Sequence, residues 1–392
     1  MRLMVTLLIA PVLFVAWCLR GIVRFRLCIV GAQRFGHLAL EPEMWLASSQ
    51  SDSKVRLPRT VDLWSFGSPR MQSNAYLTAL WARRIRIIPS WIVGALVRAG
   101  GMMPKLALEQ ARLSIHGPAN GLDKVPQQCP PVEGFTHMER ELLQSFGFDV
   151  DRPYVALVIR DSAYYNSRGE TEDPYLSLLN ADLEKFLPAC EHLLSLGFQV
   201  VRLGGPSPQK MGNVQGFFDY ANSNIRTAEL DVKLPMKCAF TVSTQTGPDA
   251  LSLLARRPVL YIDVIRVSQF FLGTTLATWA PVQFIEPKTG EPWSLNKFCS
   301  TSLLAAKDPR QFALPDTKFV KVGANELRDI VADYVHELNN GVSEDVANLR
   351  SRVNRLLAAG MGSWGEARFG EVTSQVSRRW LIHNKEWWLP EN

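Results

Sequence analysis

Three segments of the sequence place polar or basic side chains directly after a short apolar run. In the first, FRLCIVG at residues 25–31 is followed by AQRFG and His37. In the second, YVALVI is followed by Arg160 and Asp161, and in the third, AFTVS at residues 239–243 is followed by TQTG. Because ligands of parallel α/β sheets bind outside the carboxyl ends of the strands, these polar residues are the candidates for chemistry.

The first segment carries a titratable side chain at a strand–helix turn. Gly36 allows the backbone to approach a ligand closely, and the helix after it offers unpaired N–H groups to an anion. His37 stands at this turn, and an imidazole can accept a proton near neutral pH. A tight-turn glycine beside a surface histidine is the plainer alternative. The GxGxxG dinucleotide fingerprint is absent.

The second segment ends in a side chain suited to phosphate. The guanidinium of Arg160 can donate two parallel hydrogen bonds to a phosphate or a carboxylate. Asp161 follows directly, and the alternative is that the two residues form an ion pair that fixes the loop. We interpret their place at a strand end as favouring ligand binding.

The third segment gives the strongest local signal. A polar turn follows the strand and consists of Thr244, Gln245, Thr246 and Gly247. Pro248 is well placed as the first residue of a helix, whose free N–H groups and neighbouring hydroxyls suit a phosphate. Asp249 lies in the first turn, where the helix dipole also favours a carboxylate. The alternative is an ordinary capped helix.

The elements that would position these residues alternate along the chain. The pattern predicts strands at 25–31, 154–159, 198–203, 239–243 and 258–263. It predicts helices at 38–48, 137–147, 181–196, 247–255, 324–339, 343–358 and 363–383. Such alternation is typical of parallel βαβ units. We therefore predict an α/β fold with a domain at 25–150 and a second at 151–392, joined through a Gly- and Pro-rich connection at 117–136.

Charge is distributed unevenly along the chain. Residues 1–108 hold 14 Lys and Arg against four acids, whereas the rest holds 29 bases and 33 acids. A basic block of this kind suits nucleic acid or an anionic membrane. Residues 81–104 interleave arginines with Trp and Ile in the manner of an interfacial helix, although a core helix with basic flanks fits as well. No nucleic-acid-binding module is apparent, so we expect a membrane surface as partner and no nucleic acid.

The amino-terminal segment supports the membrane. Residues 3–19 are uncharged and apolar, and three arginines follow them against one before. This favours an uncleaved anchor helix at 1–24 and, by the positive-inside rule, places the remainder on the cytoplasmic face of the inner membrane. A buried first helix is the alternative. The six cysteines show no CxxC spacing, which argues against a structural zinc site or a disulfide framework.

The three segments, in this order, resemble a GT-B glycosyltransferase, a fold of two facing Rossmann-like domains. RFGHLALEPE resembles the opening of bacterial heptosyltransferases, and TQTGPDALSLLARRPVLYID resembles their donor loop. VIRDSAYY resembles the arginine-containing strand end of fucosyltransferase-like enzymes. Together the motifs are most similar to a little-characterised bacterial family of GT-B glycosyltransferases. That resemblance covers most of residues 25–300 and implies synthesis of surface polysaccharide or lipid-linked glycan.

The resemblance implies roles for individual residues. His37 stands where heptosyltransferases carry the acid regarded as the base, with Glu41 and Glu43 as alternatives. Arg160 and the turn at 244–247 would meet the donor diphosphate. Further donor-site candidates are Arg202, Gly204 and Gly205. No DxD follows a strand, so we expect metal-independent transfer with no cofactor, a nucleotide-sugar donor and a glycan or lipid-linked acceptor.

Two other functions stay open at this point. The same fold can host a nucleotide-sugar epimerase, although a soluble epimerase would need neither residues 1–24 nor the basic segment at 81–104. A non-catalytic subunit of a glycan-assembly complex is the third reading, because a histidine replaces the expected acid at position 37. The sequence leaves the donor sugar, the acceptor and the linkage unassigned.

Overall fold

The computed structural model describes residues 11, 14–50, 59–102, 108–115, 122–162, 176–212, 214–312, 318–369 and 371–388. The chain divides into two compact units. Unit 1 comprises Met1–Gly117 and Gln127–Val132, and unit 2 comprises Pro118–Pro126 and Glu133–Asn392. Each unit contains a parallel sheet with helices between its strands, which confirms the predicted α/β class.

The change from one unit to the other falls within the Gly- and Pro-rich connection, ahead of the boundary predicted at residue 150. The helix His137–Ser145 belongs to unit 2, where Leu143 packs with Phe148 and Tyr154 in one hydrophobic cluster. This helix begins with a capping box in which the hydroxyl of Thr136 accepts from the backbone N–H of Glu139 at 3.2 Å. Packing of its apolar face therefore decides to which unit the segment belongs.

Unit 1 is a three-stranded parallel sheet in the order β2-β1-β3. Its strands are β1 Val23–Ile29, β2 Arg59–Ser65 and β3 Leu108–Gln110. Its helices are α1 Phe35–Gln50, α2 Ala75–Ala82 and α3 Ser90–Met102. Leu27 of β1 and Leu96 of α3 are buried together, and Leu63, Ile88 and Ile92 pack against them.

Helix α3 covers much of the segment predicted to be interfacial. Val93, Ala95 and Leu96 are buried, whereas Trp91 is 67% exposed and Val97 is 45% exposed. The helix therefore has an inward face that belongs to the core of unit 1 and an outward face that carries a large aromatic side chain. The inward face agrees with the interpretation as a core helix, and the interpretation as an interfacial helix stays a prediction.

Much of the predicted anchor segment lies outside the described residues. Residues 14–18 are helical and lead through the 3-10 turn Leu19–Gly21 into β1. Phe14 and Ile22 are 54% and 60% exposed. None of the helices in the described part of the chain is both long and apolar enough to cross a membrane. The predicted boundary at residue 24 divides β1, because that strand begins at Val23.

The main sheet of unit 2 has seven parallel strands in the order β12-β9-β8-β7-β4-β5-β6. The strands of unit 2 are β4 Tyr154–Val158, β5 Gln199–Leu203, β6 Phe217–Phe218, β7 Phe240–Ser243, β8 Val259–Val264, β9 Ala277–Pro281, β10 Gln283–Ile285, β11 Lys318–Val320 and β12 Gln375–Val376. Strands β4, β5, β7 and β8 are buried at every residue, as expected for strands covered by helices on both faces. Strands β10 and β11 form a separate antiparallel pair.

The helices of unit 2 follow most of the predicted segments. They are α4 His137–Ser145, α5 Leu187–Ser195, α6 Leu230–Lys237, α7 Asp249–Leu254, α8 Leu295–Ser300, α9 Ala324–Asn340, α10 Glu344–Phe369, α11 Arg378–His383 and α12 Lys385–Trp388. The prediction of one helix over 363–383 is wrong. Helix α10 is interrupted at Gly362 (φ 55°), and β12 separates it from α11.

Strand β12 is held at the sheet edge by a buried arginine. It pairs with β9 through Val376 and Trp279. Arg350 of α10 donates from Nε to the carbonyl of Val376 at 2.8 Å and from Nη1 to Oε1 of Gln375 at 3.0 Å. Its Nη2 also pairs with Glu337 of α9 at 2.8 Å. The short strand is thus fixed by side-chain hydrogen bonds as well as by the ladder.

Both parallel sheets have a central strand at which the chain reverses its direction of winding. In unit 2, the chain runs outward from β4 through β5 to β6, and then returns to the other side of β4 with β7. In unit 1, β2 and β3 lie on opposite sides of β1. Ligands of open α/β sheets bind in the crevice outside such switch points. The loops after β1 and β4 are therefore where functional side chains are expected.

Candidate functional site

The switch point of unit 1 holds a histidine–carboxylate pair. After β1 the chain turns at Gly31 and enters α1 at Phe35, so His37 and Glu41 lie one turn apart on the same helix face. Nδ1 of His37 is 2.7 Å from Oε1 of Glu41. The Glu41 side chain is 8% exposed, whereas that of His37 is 32% exposed. A buried carboxylate therefore contacts an imidazole that is itself partly exposed.

The second carboxylate oxygen of Glu41 binds the turn itself. Oε2 accepts from the backbone N–H of Gly31 at 2.8 Å. A Cβ at Gly31 would lie 3.2 Å from both Cβ and Nδ1 of His37, which is closer than ordinary van der Waals contact. A side chain at position 31 would therefore require the imidazole to shift by a few tenths of an ångström, whereas Gly36, the glycine singled out in the sequence, lies in the first turn of α1.

Glu43 has a structural role in unit 1. It is fully buried, and its carboxylate accepts from the backbone N–H groups of Gln128 and Cys129 at 3.0 and 2.9 Å. These bonds attach the segment Gln127–Val132 to α1. Glu43 therefore anchors backbone, and of the two glutamates considered as alternative bases, Glu41 contacts the histidine.

The switch point of unit 2 joins the ends of β4 and β7. The backbone N–H of Arg160 donates to Oγ1 of Thr244 at 2.8 Å, and the N–H of Thr244 donates to the carbonyl of Val158 at 3.1 Å. On its other side, the carbonyl of Arg160 accepts from the N–H of Ala181 at 3.0 Å. The structure therefore brings two of the sequence-predicted segments together and fixes the backbone of Arg160 at both ends.

The loop after β7 is held in an unusual conformation from inside the protein. Gln245 has φ of 58°, in the left-handed region that non-glycine residues rarely adopt. Oδ2 of the buried Asp249 accepts from the hydroxyl of Ser243 at 2.5 Å and from the N–H of Thr246 at 2.9 Å. Strain of this kind persists where surrounding contacts impose it, and here Asp249 supplies them.

The environment of Asp249 alters its titration and its predicted role. Burial raises the pKa of Asp249 to about 7, although hydrogen bonds from Ser243 and Thr246 favour the carboxylate. Since the N–H of Thr246 is bound to Asp249, it is not available to a ligand in this conformation. The side chains of Gln245 and Thr246 remain partly exposed beside Gly247. Asp249 thus shapes the loop, and the loop presents the polar groups.

Asp161 and Arg202 form a second internal network. Arg202 is only 2% exposed. Its guanidinium donates to the carbonyl of Gln209 at 2.6 Å and lies 3.4 Å from the carboxylate of Asp161. Asp161 also accepts from the hydroxyl of Ser207. These contacts tie together the loops after β4 and β5. Both residues were singled out in the sequence, and the structure places both side chains in loop-fixing contacts.

Gly204 and Gly205 lie in the turn directly after β5. Gly204 has φ of 126°, which only glycine adopts readily, and Gly205 is exposed. Their backbone therefore stands at the carboxyl edge of the sheet, one strand away from Arg160. No hydrogen bond of the described residues gives either glycine a direct role beyond this turn.

A cluster that the sequence reasoning missed lies at the end of β8. Asp263 has φ of 56°, pairs with Nζ of Lys185 at 2.5 Å and accepts from the N–H of Val322 at 2.8 Å. Lys321 follows nearby, and its burial lowers the pKa of its ammonium group. The signal was present in PVLYID, an apolar strand that ends in a carboxylate. The two lysines bring positive charge to the same sheet edge as Arg160.

The described surface of unit 1 is more basic than its composition alone indicates. Glu41 and Glu43 are buried, and Asp62 pairs with Arg26 at 2.8 Å and accepts from Nε1 of Trp45 at 2.7 Å. The exposed basic residues of this unit include Arg20, Arg24, Arg59, Arg70, Arg83, Arg84 and Arg86. Most acids of the unit therefore do not offset these positive charges at the surface.

The carboxylates at the strand ends already have protein partners. Asp161 is bound by Arg202, Asp249 by Ser243, and Asp263 by Lys185. In the part of the chain that the structure describes, no three His, Cys, Asp or Glu side chains converge in a way that would hold a metal ion.

No protein-family model matches the chain, and no curated protein matches it. Similar solved structures are those of glycosyltransferases. One is TibC from enterotoxigenic E. coli H10407, described as an iron-containing dodecameric glycosyltransferase, with a TM-score of 0.40 and 12% identity over 83% of this chain and 77% of TibC. Another is a family 9 glycosyl transferase from Veillonella parvula DSM 2008, with a TM-score of 0.36 and 9% identity over 62% of this chain and 81% of that one.

A third is the E. coli heptosyltransferase WaaC, solved with ADP, with a TM-score of 0.31 and 14% identity over 65% of this chain and 91% of that one. These proteins are of the class whose motifs the sequence resembles.

Proposed function

We propose that the chain is a glycosyltransferase that moves a sugar from a nucleotide-diphosphate donor to a hydroxyl of its acceptor. One observation carries the proposal: the central strand of each sheet leads into one of the two groups that the reaction needs. β1 leads to the pair of His37 and Glu41, and β4 leads to Arg160 beside the polar loop of Thr244. Transfer of a glycosyl group needs a base for the acceptor and positive charge for the departing diphosphate.

In the proposed reaction the acceptor oxygen forms a bond to the anomeric carbon of the sugar as the bond from that carbon to the diphosphate breaks. His37 takes the proton of the acceptor hydroxyl. The electron pair of the breaking bond leaves with the diphosphate, whose added charge Arg160 and the groups around Thr246 and Gly247 stabilise. The GT-B arrangement of two facing domains is part of this proposal.

The acceptor in this proposal is a glycan or lipid-linked glycan of surface polysaccharide synthesis, reached at the cytoplasmic face of the inner membrane. The exposed arginines of unit 1, where Glu41 and Glu43 are buried and Asp62 is paired with Arg26, support an anionic surface as the partner. The exposed side chains of Phe14, Ile22 and Trp91 are of the kind that enters the interfacial region of a bilayer.

The proposal includes metal-independent transfer without a cofactor. Its basis is the occupation of the strand-end carboxylates by Arg202, Ser243 and Lys185, which leaves the diphosphate to the cationic side chains. Treatment with a chelator is expected to leave the rate unchanged. Loss of activity that Mg²⁺, Mn²⁺ or Fe²⁺ restores would refute this part, and elemental analysis of the purified protein would identify the metal.

The central test is incubation of the purified protein with a panel of nucleotide sugars, with and without a lipid-linked acceptor. Release of nucleoside diphosphate that depends on acceptor supports the proposal, and His37→Gln and Arg160→Ala should each abolish most of it. His383→Gln, a change of a histidine in α11, serves as the matched control. A new sugar isomer without release of nucleotide would instead identify an epimerase, and neither product would indicate a non-catalytic subunit.

A further inference from the structure

We infer that Glu41 is a positioning residue that holds His37 as the tautomer protonated on Nδ1, so that Nε2, the ring nitrogen that does not contact Glu41, stays an unprotonated acceptor. This inference deepens the proposed function and rests on it for its catalytic meaning. Its structural content, the position of one proton on one imidazole, is measurable whether or not the protein transfers sugar.

The carboxylate of Glu41 has a fixed orientation. Oε2 of Glu41 accepts from the backbone N–H of Gly31 at 2.8 Å. A backbone N–H can only donate, so the direction of this hydrogen bond is certain. Because Oε2 is held by the turn, Oε1 has a fixed direction, and it lies 2.7 Å from Nδ1 of His37. The carboxylate is buried, so water does not compete freely for these two bonds.

The contact with Glu41 determines which nitrogen of His37 carries the proton. Because a carboxylate only accepts hydrogen bonds, we assign the proton of the 2.7 Å contact to Nδ1 of His37. A neutral imidazole then carries its lone pair on Nε2, on the opposite side of the ring. The His37 side chain is partly exposed, and this lone pair is what a hydroxyl of the acceptor would meet.

The imidazole of His37 packs closely against the turn at Gly31. Gly31 leaves room for the imidazole, since a Cβ there would approach Nδ1 and Cγ of His37 at 3.2 and 3.3 Å. The ring is therefore confined between the backbone of residue 31 and the carboxylate below it. The carboxylate orients the ring without touching the substrate, which makes Glu41 a positioning residue.

The substitution Glu41→Gln reverses the proton without changing the shape of the side chain. The amide oxygen must face the N–H of Gly31, so the amide NH₂ group faces Nδ1 of His37. An NH₂ group donates, and Nδ1 must then accept, which moves the ring proton to Nε2. The variant is thus expected to keep its fold while His37 loses the unprotonated acceptor at Nε2.

The experiment measures the tautomer by ¹⁵N NMR of [¹⁵N]histidine-labelled protein at mildly alkaline pH, where imidazoles are neutral. The spectrum of His37→Gln identifies the signals of His37. We expect a protonated Nδ1 and an unprotonated Nε2 in the parent, and the reverse in Glu41→Gln. Glu109→Gln changes an exposed glutamate of the same unit and should leave the spectrum as in the parent.

Kinetics supply the second readout. Glu41→Gln should lower kcat by about 10²–10⁴-fold, the usual contribution of a general base, while KM for the nucleotide sugar changes little. A parent protonated on Nε2 would overturn the inference even if the protein transfers sugar. The expected tautomers together with an unchanged kcat would overturn the positioning role. A protein with the expected tautomers but no transfer under any condition would refute the proposed function and leave the assignment of the proton intact.

Discussion

The indole N–H of Trp81 donates to the backbone carbonyl of Leu38 at 3.0 Å. In a regular helix that carbonyl would accept from residue 42, but Pro42 has no N–H. Trp81 is fully buried, so its side chain supplies from α2 the donor that α1 lacks. The bond lies in the helical turn that carries His37 and Glu41, and it therefore supports the site as well as the fold.

Replacement of Trp81 by Phe should leave the carbonyl of Leu38 without a donor. An unsatisfied buried polar group costs about 1–3 kcal/mol, to which the lost volume of the indole adds. The effect should be smaller when Pro42→Ala restores a backbone N–H. Urea unfolding of the parent, both single variants and the double variant forms a cycle that isolates this coupling. Equal losses for Trp81→Phe in both backgrounds would show that the bond to Leu38 contributes nothing.

Arg160→Ala should reduce turnover far more than stability. The backbone of Arg160 is fixed by Thr244 and Ala181, and these bonds do not need its guanidinium. Loss of one preorganised donor to a developing anion typically costs about 10²–10³ in rate. Lysine keeps the charge but not the planar fork, so Arg160→Lys should recover only part of the activity. Arg152→Ala, which changes an exposed residue just before β4, is the control. An Arg160→Ala variant whose melting temperature is several degrees lower but whose turnover equals that of the parent would contradict the prediction.

Asp249 should make the stability of unit 2 depend on pH. Its pKa in the folded protein, about 7, lies above the ordinary 3.8, so the folded state keeps a proton that the unfolded chain has lost. Stability should therefore fall as pH rises from about 4 to about 7 and level off above, by a few kcal/mol in order of magnitude. Asp249→Asn should flatten the profile, whereas Asp345→Asn, at an exposed helix start, should not. Parallel profiles for the parent and Asp249→Asn in urea unfolding would refute this assignment.

The basic surface of unit 1 should bind anionic lipid in a salt-dependent manner. Each base near such a surface contributes about 1 kcal/mol, so Arg84→Glu with Arg86→Glu should weaken binding at least tenfold. Sedimentation with phosphatidylglycerol vesicles measures this, and phosphatidylcholine vesicles should bind little. The matched control is Arg352→Glu with Arg355→Glu, a charge reversal on α10. Removal of residues 1–18, which spares β1, should weaken binding further, and salt-insensitive binding would contradict the electrostatic part.

Local pattern was sufficient to locate the central strands and their polar ends. Apolar runs that end in Gly31, Arg160 and Thr244 are continuous in the sequence, and they became the switch points of the two sheets. The α/β class follows from their alternation with helices. The alternation predicts that the two strand ends lie at the same edge of a sheet. It does not predict the hydrogen bond between Arg160 and Thr244, because 84 residues separate them.

The contacts that assign roles to the side chains are non-local, and the sequence did not show them. Asp161 reads as a catalytic neighbour of Arg160, yet its partners Arg202 and Ser207 come from the loop after another strand. Glu43 reads as an acid beside the candidate histidine, yet it binds backbone some 85 residues away. By contrast, the i,i+4 spacing of His37 and Glu41 is local and would have predicted their contact.

Strand β12, near the end of the sequence, also could not be predicted from local pattern. The helix predicted over 363–383 fails because α10 ends at Phe369 and because two residues of β12 pair with β9. A strand of two residues carries no periodicity. Its position depends on Arg350 and on the open edge of β9, and neither is visible from the composition of the segment.

The late position of β12 in the sequence has a consequence for the newly made chain. Ribosomes produce residues 375–376 after all the other strands of the seven-stranded sheet, so β9 forms the open edge until they emerge. An unpaired, buried-type strand such as β9 is a template for pairing with other chains. Nascent or truncated chains that stop before residue 375 should therefore be the aggregation-prone forms, and they should depend most on chaperones during synthesis.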